Sequence, residues 1–328
     1  MFLAVTEDYP RDQLEFDKRF ATDPACREYL EQLRWPTGFV CPRCQQTKAW
    51  RDGRGRQMCA GCLYPVSATA GTIFQDSRKP LRLWFRAAGY MTNQKHGASA
   101  LGLQRVLGLG SYLTAWSWLH KLRRAMVRPG RDGLSGTVEV DETYVGGLAE
   151  GKRGRGADPK ALVVIAAEEN GKGMGRIRMA RVPDASARSL AGFVPSAVVP
   201  GSRIHTDGWD GYAGLPALGY AHEATVLRGL DASAPTKLLP RVHRVASLLK
   251  RWLLGIHQGA VRPNHLEYYL DEFTFRFNRR TAGSRGKLFY RLIQQAVQVE
   301  PVPYKAMVGG KPLRPPLPNR LGVLSSIR

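Results

Sequence analysis

The sequence predicts an α/β protein in which a mixed sheet with flanking helices follows a cysteine-rich module and a helical segment. Three observations predict this fold class. Two cysteine pairs stand near the N-terminus, apolar residues recur at helical spacing after them, and strand patterns interleaved with helices begin at Thr137. The 328 residues suggest two domains and a smaller module. We expect the cysteine module within 1–75, the helical segment at 76–128, the sheet domain at 137–295 and an extended tail at 296–328.

The chain carries a large excess of positive charge, with 49 Lys and Arg against 27 Asp and Glu and a net charge of +22. Such an excess indicates a polyanionic partner, because basic side chains that neutralise phosphates release counterions. An apolar content of 43% excludes a wholly disordered chain. The longest strongly apolar run, Ala161–Ala167, is far shorter than the roughly 20 residues that a membrane span needs. We therefore expect a cytoplasmic protein without a membrane segment.

Four of the five cysteines form two CxxC pairs, Cys41 with Cys44 and Cys59 with Cys62, with 14 residues between the pairs. Two such pairs can present four thiolates to one zinc ion in tetrahedral geometry. A redox role is disfavoured because it would need only one CxxC pair. The spacing predicts a structural zinc ribbon whose folding depends on the metal. The remaining cysteine, Cys26, lies in a helical pattern and is predicted to be buried and unreactive.

Residues 98–107 and 113–126 predict two helices joined by a glycine-rich turn, which is a helix-turn-helix arrangement. The second helix has an apolar face and carries Lys121, Arg123 and Arg124 near its end. A helix of this kind can enter a major groove and place basic residues on phosphates. The alternative is an ordinary helical hairpin with a solvated basic side. The zinc ribbon just before it favours DNA binding.

After a glycine-rich linker the pattern changes to strands. The predicted order βββαβαβα is consistent with an α/β sheet of the RNase H type. The predicted strands are Thr137–Val145, Ala161–Ala167, Arg176–Val182, a segment that ends at Asp207, and Glu223–Leu227.

Two aspartates stand at special places in these strands. Asp141 lies in the middle of the first strand, and Asp207 lies at the end of the fourth. In a sheet with this order the two strands are neighbours, so both carboxylates can share one face and bind divalent metal. Two Mg²⁺ ions about 3.5–4 Å apart would promote phosphoryl transfer. A lone Asp at a strand end is more often a turn cap, so the residues alone leave both interpretations open.

Several longer motifs point to one family. They are residues 34–44 (RWPTGFVCPRC), 69–74 (TAGTIF), 140–147 (VDETYVGG), 205–208 (HTDG) and 266–280 (LEYYLDEFTFRFNRR). With these motifs the chain resembles the zinc-ribbon DDE transposases of bacterial insertion sequences. The resemblance implies an RNase H-like catalytic domain that cuts element ends and joins their 3′-hydroxyls to target DNA. It also implies that Asp141 and Asp207 are the first two catalytic carboxylates, with Mg²⁺ or Mn²⁺ as the catalytic metal.

The same resemblance implies double-stranded DNA as the partner, both as terminal repeats of the element and as target. A homodimer or larger assembly is expected because two ends must be brought together. Binding to DNA would associate the protein with the nucleoid.

The third catalytic residue departs from the simplest pattern of the family, which places a Glu on a helix after the fifth strand. With 35 residues counted after Asp207, that place is taken by His243. Imidazole suits Mn²⁺ better than Mg²⁺, and it can also act as a base or orient a phosphate. Lys250 lies two helical turns further on the same face and is predicted to hold a phosphate. The alternatives are a degraded site, or a third ligand from Glu267, Asp271 or Glu272.

Further basic residues are predicted to follow the phosphate backbone of DNA, namely Arg251, Arg276, Arg279 and Arg280. The basic loop Glu150–Lys160 is predicted to order on DNA. We expect His205 to point away from the metal, and we expect Trp209 and Tyr212 to pack in the core rather than stack on a base.

Two other function classes fit parts of the pattern. A sequence-specific DNA-binding regulator would explain the charge and the ribbon, but it has no use for paired aspartates on strands. A structure-specific nuclease would share the metal site and hydrolyse DNA without joining it.

Overall fold

The computed structural model describes residues 7–128, 130–146, 160–225, 238–258 and 261–309. It divides into two compact units, and each is described separately. The first unit combines the residues up to 128 with Thr281–Val308, and the second comprises Gly130–Arg280. No helix of the described residues is long and apolar enough to cross a membrane.

The secondary-structure elements are numbered in chain order. In the N-terminal part they are α1 (Gln13–Arg19), α2 (Asp23–Arg34), β1 (Ala49–Arg51), β2 (Gln57–Cys59), β3 (Pro65–Val66), α3 (Leu81–Asn93), α4 (Ala100–Leu107) and α5 (Tyr112–Ala125). They continue with β4 (Thr137–Val145), β5 (Ala161–Asn170), β6 (Gly173–Val182), α6 (Ala187–Ala197), β7 (Arg203–Thr206), β8 (Ala221–Ala224), α7 (Pro240–His257), α8 (Leu266–Phe277), α9 (Arg285–Ala296) and α10 (Tyr304–Val308).

The first unit has an aromatic core formed by its helices. Phe289 of α9 is 2% exposed, and its ring centroid lies 5.1 Å from that of Phe16 and 5.7 Å from that of Phe85. Phe20 and Tyr29 complete the cluster. Aromatic pairs at such distances add to the free energy of burial. A helix from near the C-terminus is therefore part of the N-terminal core.

The structure places α9 in the first unit, whereas the predicted domain boundary at 295 assigned residues 281–295 to the sheet domain. The buried face of α9 packs against α2, α3 and α5 of the first unit. The predicted extended tail also begins with a helix, α10, whose Met307 is buried. These contacts join residues that lie far apart in the chain, so a local pattern does not reveal them. The rest of the tail, from 310, lies outside the described residues.

The predicted helix pair of the helix-turn-helix segment is present as α4 and α5. Ser99 caps α4 by accepting the N–H of Gly102 at 3.0 Å. Gly108 ends the helix with a φ of 61°, the left-handed conformation that favours glycine.

The second unit contains a five-stranded mixed sheet in the order β6-β5-β4-β7-β8. The pairs β4–β5 and β5–β6 are antiparallel, whereas β4–β7 and β7–β8 are parallel. This confirms the predicted mixed sheet, with β4 and β7 as neighbours. The fifth strand lies at Ala221–Ala224, slightly before its predicted place, and residues 226–237 lie outside the described part of the chain.

Both faces of the sheet are covered, because alternate strand residues point to opposite sides. Val138, Val140 and Ile204 pack on one side with α6. Val145 and Ile165 pack on the other side with α7 and α8. By alternation, Asp141 of β4 belongs to the face that α7 covers.

Replacement of Phe289 by Ala tests the aromatic core. We expect Phe289→Ala to lower the free energy of unfolding by about 3–5 kcal/mol, because a large buried ring leaves a cavity. Leu14→Ala is the control: Leu14 is 84% exposed on α1, so its loss should change stability by less than about 0.5 kcal/mol. Urea unfolding measures both variants. Equal, small effects would contradict the packing of α9 in the first unit.

Candidate active site

The parallel pairing of β4 with β7 aligns the two predicted catalytic aspartates. The register pairs Val138 with Ile204 and Glu139 with His205. β7 ends at Thr206, and Asp207 follows it directly, two residues after His205, as Asp141 is two residues after Glu139. Partners in a parallel pair point to the same face. Asp141 lies on the face that α7 covers, and Asp207 is close enough to this region for its charge to act on His243 and, together with that of Asp141, on Tyr212.

Backbone N–H groups orient both carboxylates. Asp141 Oδ1 accepts the N–H of Glu142 at 2.8 Å, and Asp207 Oδ1 accepts the N–H of Trp209 at 3.0 Å. The side chain of Asp141 is 18% exposed, so solvent reaches this site. Two oriented, accessible carboxylates supply the hard oxygen ligands that Mg²⁺ and Mn²⁺ prefer.

The structure places His243 next to Asp141. His243 Nε2 lies 3.9 Å from Asp141 Oδ2. This nitrogen is buried and has no hydrogen-bond partner in the described residues. Desolvation lowers the pKa of His243, and the positive charge of Lys250 lowers it further. The negative charges of Glu139 and Asp207 raise this pKa, but the net shift is downward. The imidazole is therefore neutral at neutral pH, and an unpaired nitrogen beside two carboxylates fits a divalent cation.

The candidate catalytic ligands are less closely grouped than the four cysteines. Within the described ranges, the four cysteines are the one group of three or more metal-binding side chains whose ligand atoms all lie within 4.8 Å of one another. The ligand atoms of Asp141, Asp207 and His243 are spaced more widely.

Lys250 lies within electrostatic reach of the same site. Desolvation lowers the pKa of its ammonium group and Lys160 lowers it further, whereas Asp141 raises it. Lys250 is seven residues after His243 on α7, so both side chains project from the same side of the helix. This arrangement places a cation where a phosphate next to the carboxylates could bind it.

The four cysteines have the geometry of a zinc centre. The Sγ atoms of Cys41 and Cys62 are 3.6 Å apart, and those of Cys44 and Cys59 are 3.4 Å apart. Tetrahedral Zn–S bonds of about 2.3 Å require sulfur separations of about 3.8 Å. The sulfur atoms therefore have the spacing of a structural zinc site.

The two cysteine pairs share one backbone conformation. The N–H of Cys41 donates to Gln46 O at 2.9 Å, and the N–H of Cys59 donates to Tyr64 O at 3.1 Å. The residue after each pair, Gln45 or Leu63, has a positive φ, 62° and 55°. Both turns thus direct their thiols to the same point. Cys26 is fully buried, which confirms its predicted burial, and desolvation raises the pKa of its thiol to about 12.

Comparison with known proteins agrees with both sites. Residues 133–278 match the ISXO2-like transposase domain, and residues 21–64 match the transposase zinc-ribbon domain. The chain thus contains a transposase zinc ribbon followed by a DDE-type transposase domain. It is similar to the "Uncharacterized protein in transposable element ISH50" of Halobacterium salinarum, with 27% identity over 279 residues, covering 79% of this chain and 92% of that protein. No solved structure matches it.

The family implies an enzyme that cleaves and transfers DNA strands, and it implies DNA binding. The matched transposase domain lies within the second structural unit and contains Asp141, Asp207 and His243. The matched zinc ribbon contains all four clustered cysteines.

The other carboxylates considered for the third position of this transposase lie on α8. This helix packs against the edge strand β6, and β5 separates β6 from β4. Asp271 is buried, and the fully buried Glu272 pairs with Arg276 Nε at 2.9 Å. The fold thus brings His243 to Asp141, and it places Glu267, Asp271 and Glu272 on a helix at the far edge of the sheet.

One basic residue of the predicted DNA-binding helix is not on the surface. Arg123 is 2% exposed, and its Nη2 donates to Ala98 O at 3.3 Å, so the prediction that it binds phosphate is wrong. Lys121 lies over the Trp84 ring, 5.9 Å from its centroid, and Arg124 is partly buried. The physical reason is that α3, α4, α9 and α10 all pack around α5, whereas the sequence showed one apolar face.

Fewer of the predicted phosphate-binding residues at the end of α8 are exposed than the sequence suggests. Arg276 is bound to Glu272, and Arg279 lies over the ring of Phe275, 4.0 Å from its centroid. Arg280 is exposed and donates to Gly175 O at 3.3 Å. Arg251 is exposed on α7. The loop Glu150–Lys160 lies outside the described residues except for Lys160.

Of the predictions for the residues around Asp207, one is wrong and one is confirmed. We expected His205 to point away from the metal, on the face opposite to Asp207, but it pairs with Glu139 in the register and so lies on the α7 face. Residues two apart in a strand point to the same side. The predicted packing of Trp209 and Tyr212 is confirmed, since both lie in the core under α6. The hydroxyl of Tyr212 donates to Glu142 Oε2 at 3.0 Å.

Removal of one zinc ligand tests the ribbon. We expect Cys44→Ser to lose bound zinc and to unfold the ribbon, because metal binding and folding are coupled in small sites. Cys26→Ala is the matched control, since its thiol is no ligand and zinc content should stay at one ion per chain. Atomic absorption and limited proteolysis measure the two effects. Full zinc content in Cys44→Ser would contradict the assigned ligand set.

Proposed function

We propose that the chain is the transposase of an insertion sequence. It binds the terminal repeats of the element, cleaves the strands at both ends and joins the 3′-hydroxyls to target DNA. The observation that carries the proposal is the approach of His243 Nε2 to Asp141 Oδ2 at 3.9 Å, and the parallel pairing of β4 with β7, which Asp207 directly follows, supports it. A purely architectural sheet has no need for two carboxylates and a neutral imidazole at one point.

Asp141 and Asp207 hold Mg²⁺ or Mn²⁺ in this proposal, and His243 completes the site through Nε2. When bound, the divalent metal neutralises phosphate charge and activates the attacking oxygen. Lys250 binds a non-bridging oxygen of a neighbouring phosphate and so orients the strand. His243 and Lys250 project from α7, which covers the sheet face that carries Asp141.

The zinc ribbon and the α4–α5 pair recognise the element ends. In helix-turn-helix proteins the first turn of the second helix contacts base edges. Tyr112 and Leu113 in the first turn of α5 are 49% and 53% exposed, whereas its basic end is largely buried. We therefore assign base contacts to the first turn. The phosphate backbone of double-stranded DNA is contacted by Arg251, Arg279 and Arg280. The protein acts at the nucleoid, and a dimer or larger assembly holds the two element ends.

A strand-transfer assay tests this function. Purified protein is incubated with a labelled element end, a target plasmid and Mg²⁺ or Mn²⁺. We expect Asp141→Asn and Asp207→Asn to lower joining about a thousandfold or more, because each removes a metal ligand. Asp210→Asn is the control, since Asp210 is exposed three residues after Asp207. Joining that persists in Asp141→Asn would overturn the mechanism, and cleavage without joining would favour a nuclease.

The same assay decides the third residue. We expect His243→Ala to lower joining strongly, with a larger loss in Mn²⁺ than in Mg²⁺ because imidazole suits Mn²⁺ better, while Glu267→Gln retains activity. Full activity of His243→Ala together with loss in Glu267→Gln would assign the third position to α8. Specific binding of end DNA without cleavage by any form of the protein would favour a regulator.

A further inference from the structure

A second carboxylate of β4 lies on the same face as Asp141 but is used differently. Glu139 is two residues before Asp141 and is 1% exposed. A buried carboxylate is costly unless charged or polar groups surround it. The partners of Glu139 therefore show what it does.

Both oxygens of Glu139 bind the first turn of α7. Oε2 accepts the backbone N–H groups of Arg241 and Val242 at 2.7 and 3.0 Å. Oε1 accepts Nη1 of Arg241 at 2.8 Å. The helix has no side-chain cap of its own, and Pro240 at its start has no N–H. Glu139 thus caps α7 from the central strand, where the helix dipole favours a negative charge.

Arg241 extends this contact to the β5–β6 turn. Its guanidinium also binds Glu169 Oε1 at 2.8 Å, Gly173 O at 3.0 Å and Gly171 O at 3.1 Å. The first turn of α7 is therefore tied to β4 and to the turn after β5. We call Glu139 and Arg241 the α7 clamp.

Arg241, the member of the α7 clamp that belongs to the helix, lies two residues before His243. Val242, Val245 and Leu249 pack α7 on the sheet, but apolar packing tolerates small rotations and shifts. One residue of slip turns a helical side chain by about 100°. The directional hydrogen bonds at the first turn fix the rotation and the axial position of α7, which apolar packing alone does not. His243 Nε2 lies 3.9 Å from Asp141 Oδ2 in this arrangement.

We propose that Glu139 and Arg241 are positioning residues that set His243 against Asp141 through the first turn of α7. Glu139 itself does not bind the metal, because Arg241 and two N–H groups occupy its oxygens. The inference rests on the proposed function for its kinetic consequence, while its structural claim stands apart from it.

A double-mutant cycle tests the kinetic consequence. We expect Glu139→Gln to lower kcat for joining about 10–100-fold, as loss of a residue that orients a ligand does, with KM for end DNA within about twofold. In a His243→Ala background the same change should cost less than about threefold, because its effect runs through the lost imidazole. Equal losses in both backgrounds would overturn the proposal. Glu223→Gln, an exposed carboxylate on β8, is the matched control and should keep wild-type kcat.

A crystal structure of Glu139→Gln tests the structural claim without activity. We expect His243 to have moved away from Asp141 while the sheet is unchanged. An imidazole that keeps its place would overturn the proposal, even if the wild-type chain proved inactive in joining and the proposed function failed. If Glu139→Gln does not fold, Arg241→Lys serves in both tests, because it keeps the charge and loses the planar set of donors.

Discussion

The parallel pairing of β4 with β7 is the constraint on which the candidate site depends. Its register pairs Glu139 with His205, two residues before Asp141 and Asp207, and has no bulge among the paired residues. A slip of one residue would turn one of the two carboxylates to the α6 side, where apolar residues are packed. β4 is also paired with β5 from Val138 to Val145, so the strand that bears Asp141 is held on both sides. The ladder of hydrogen bonds thus fixes the strand that bears Asp141 and the end of the strand from which Asp207 follows.

The third member of the site comes from a helix and needs a different means of placement. Apolar side chains hold α7 on the sheet, and the buried Glu139 binds the first N–H groups of the helix. The same strand therefore supplies a carboxylate to the site and a carboxylate that orients the helix over it. Alternate positions in β4 separate these two acids from the apolar residues under α6. Charge on one face and hydrophobic residues on the other explain why this strand can be both central and functional.

Local patterns predicted the parts of the structure that local physics determines. The apolar run Ala161–Ala167 is buried on both faces, and the cysteine spacing gave the ribbon. A count along the chain led to His243, which the fold places beside Asp141. Local sequence patterns do not predict contacts between residues that are distant in the chain. Glu139 and Arg241 are 102 residues apart, and α9 packs in the N-terminal core. Arg123 was misassigned because a basic residue near the end of a helix looks solvated until its neighbours are known.

The most direct test of the account is the position of Mn²⁺ in crystals of the protein, located by anomalous scattering. The register predicts a Mn²⁺ peak between the carboxylates of Asp141 and Asp207, near His243 Nε2, and its loss in Asp207→Asn crystals. The zinc signal at the four cysteines should be the same in both crystals. A Mn²⁺ peak that persists in Asp207→Asn, or ordered Mn²⁺ only at other acidic residues, would contradict the claim that the β4–β7 pairing builds the metal site.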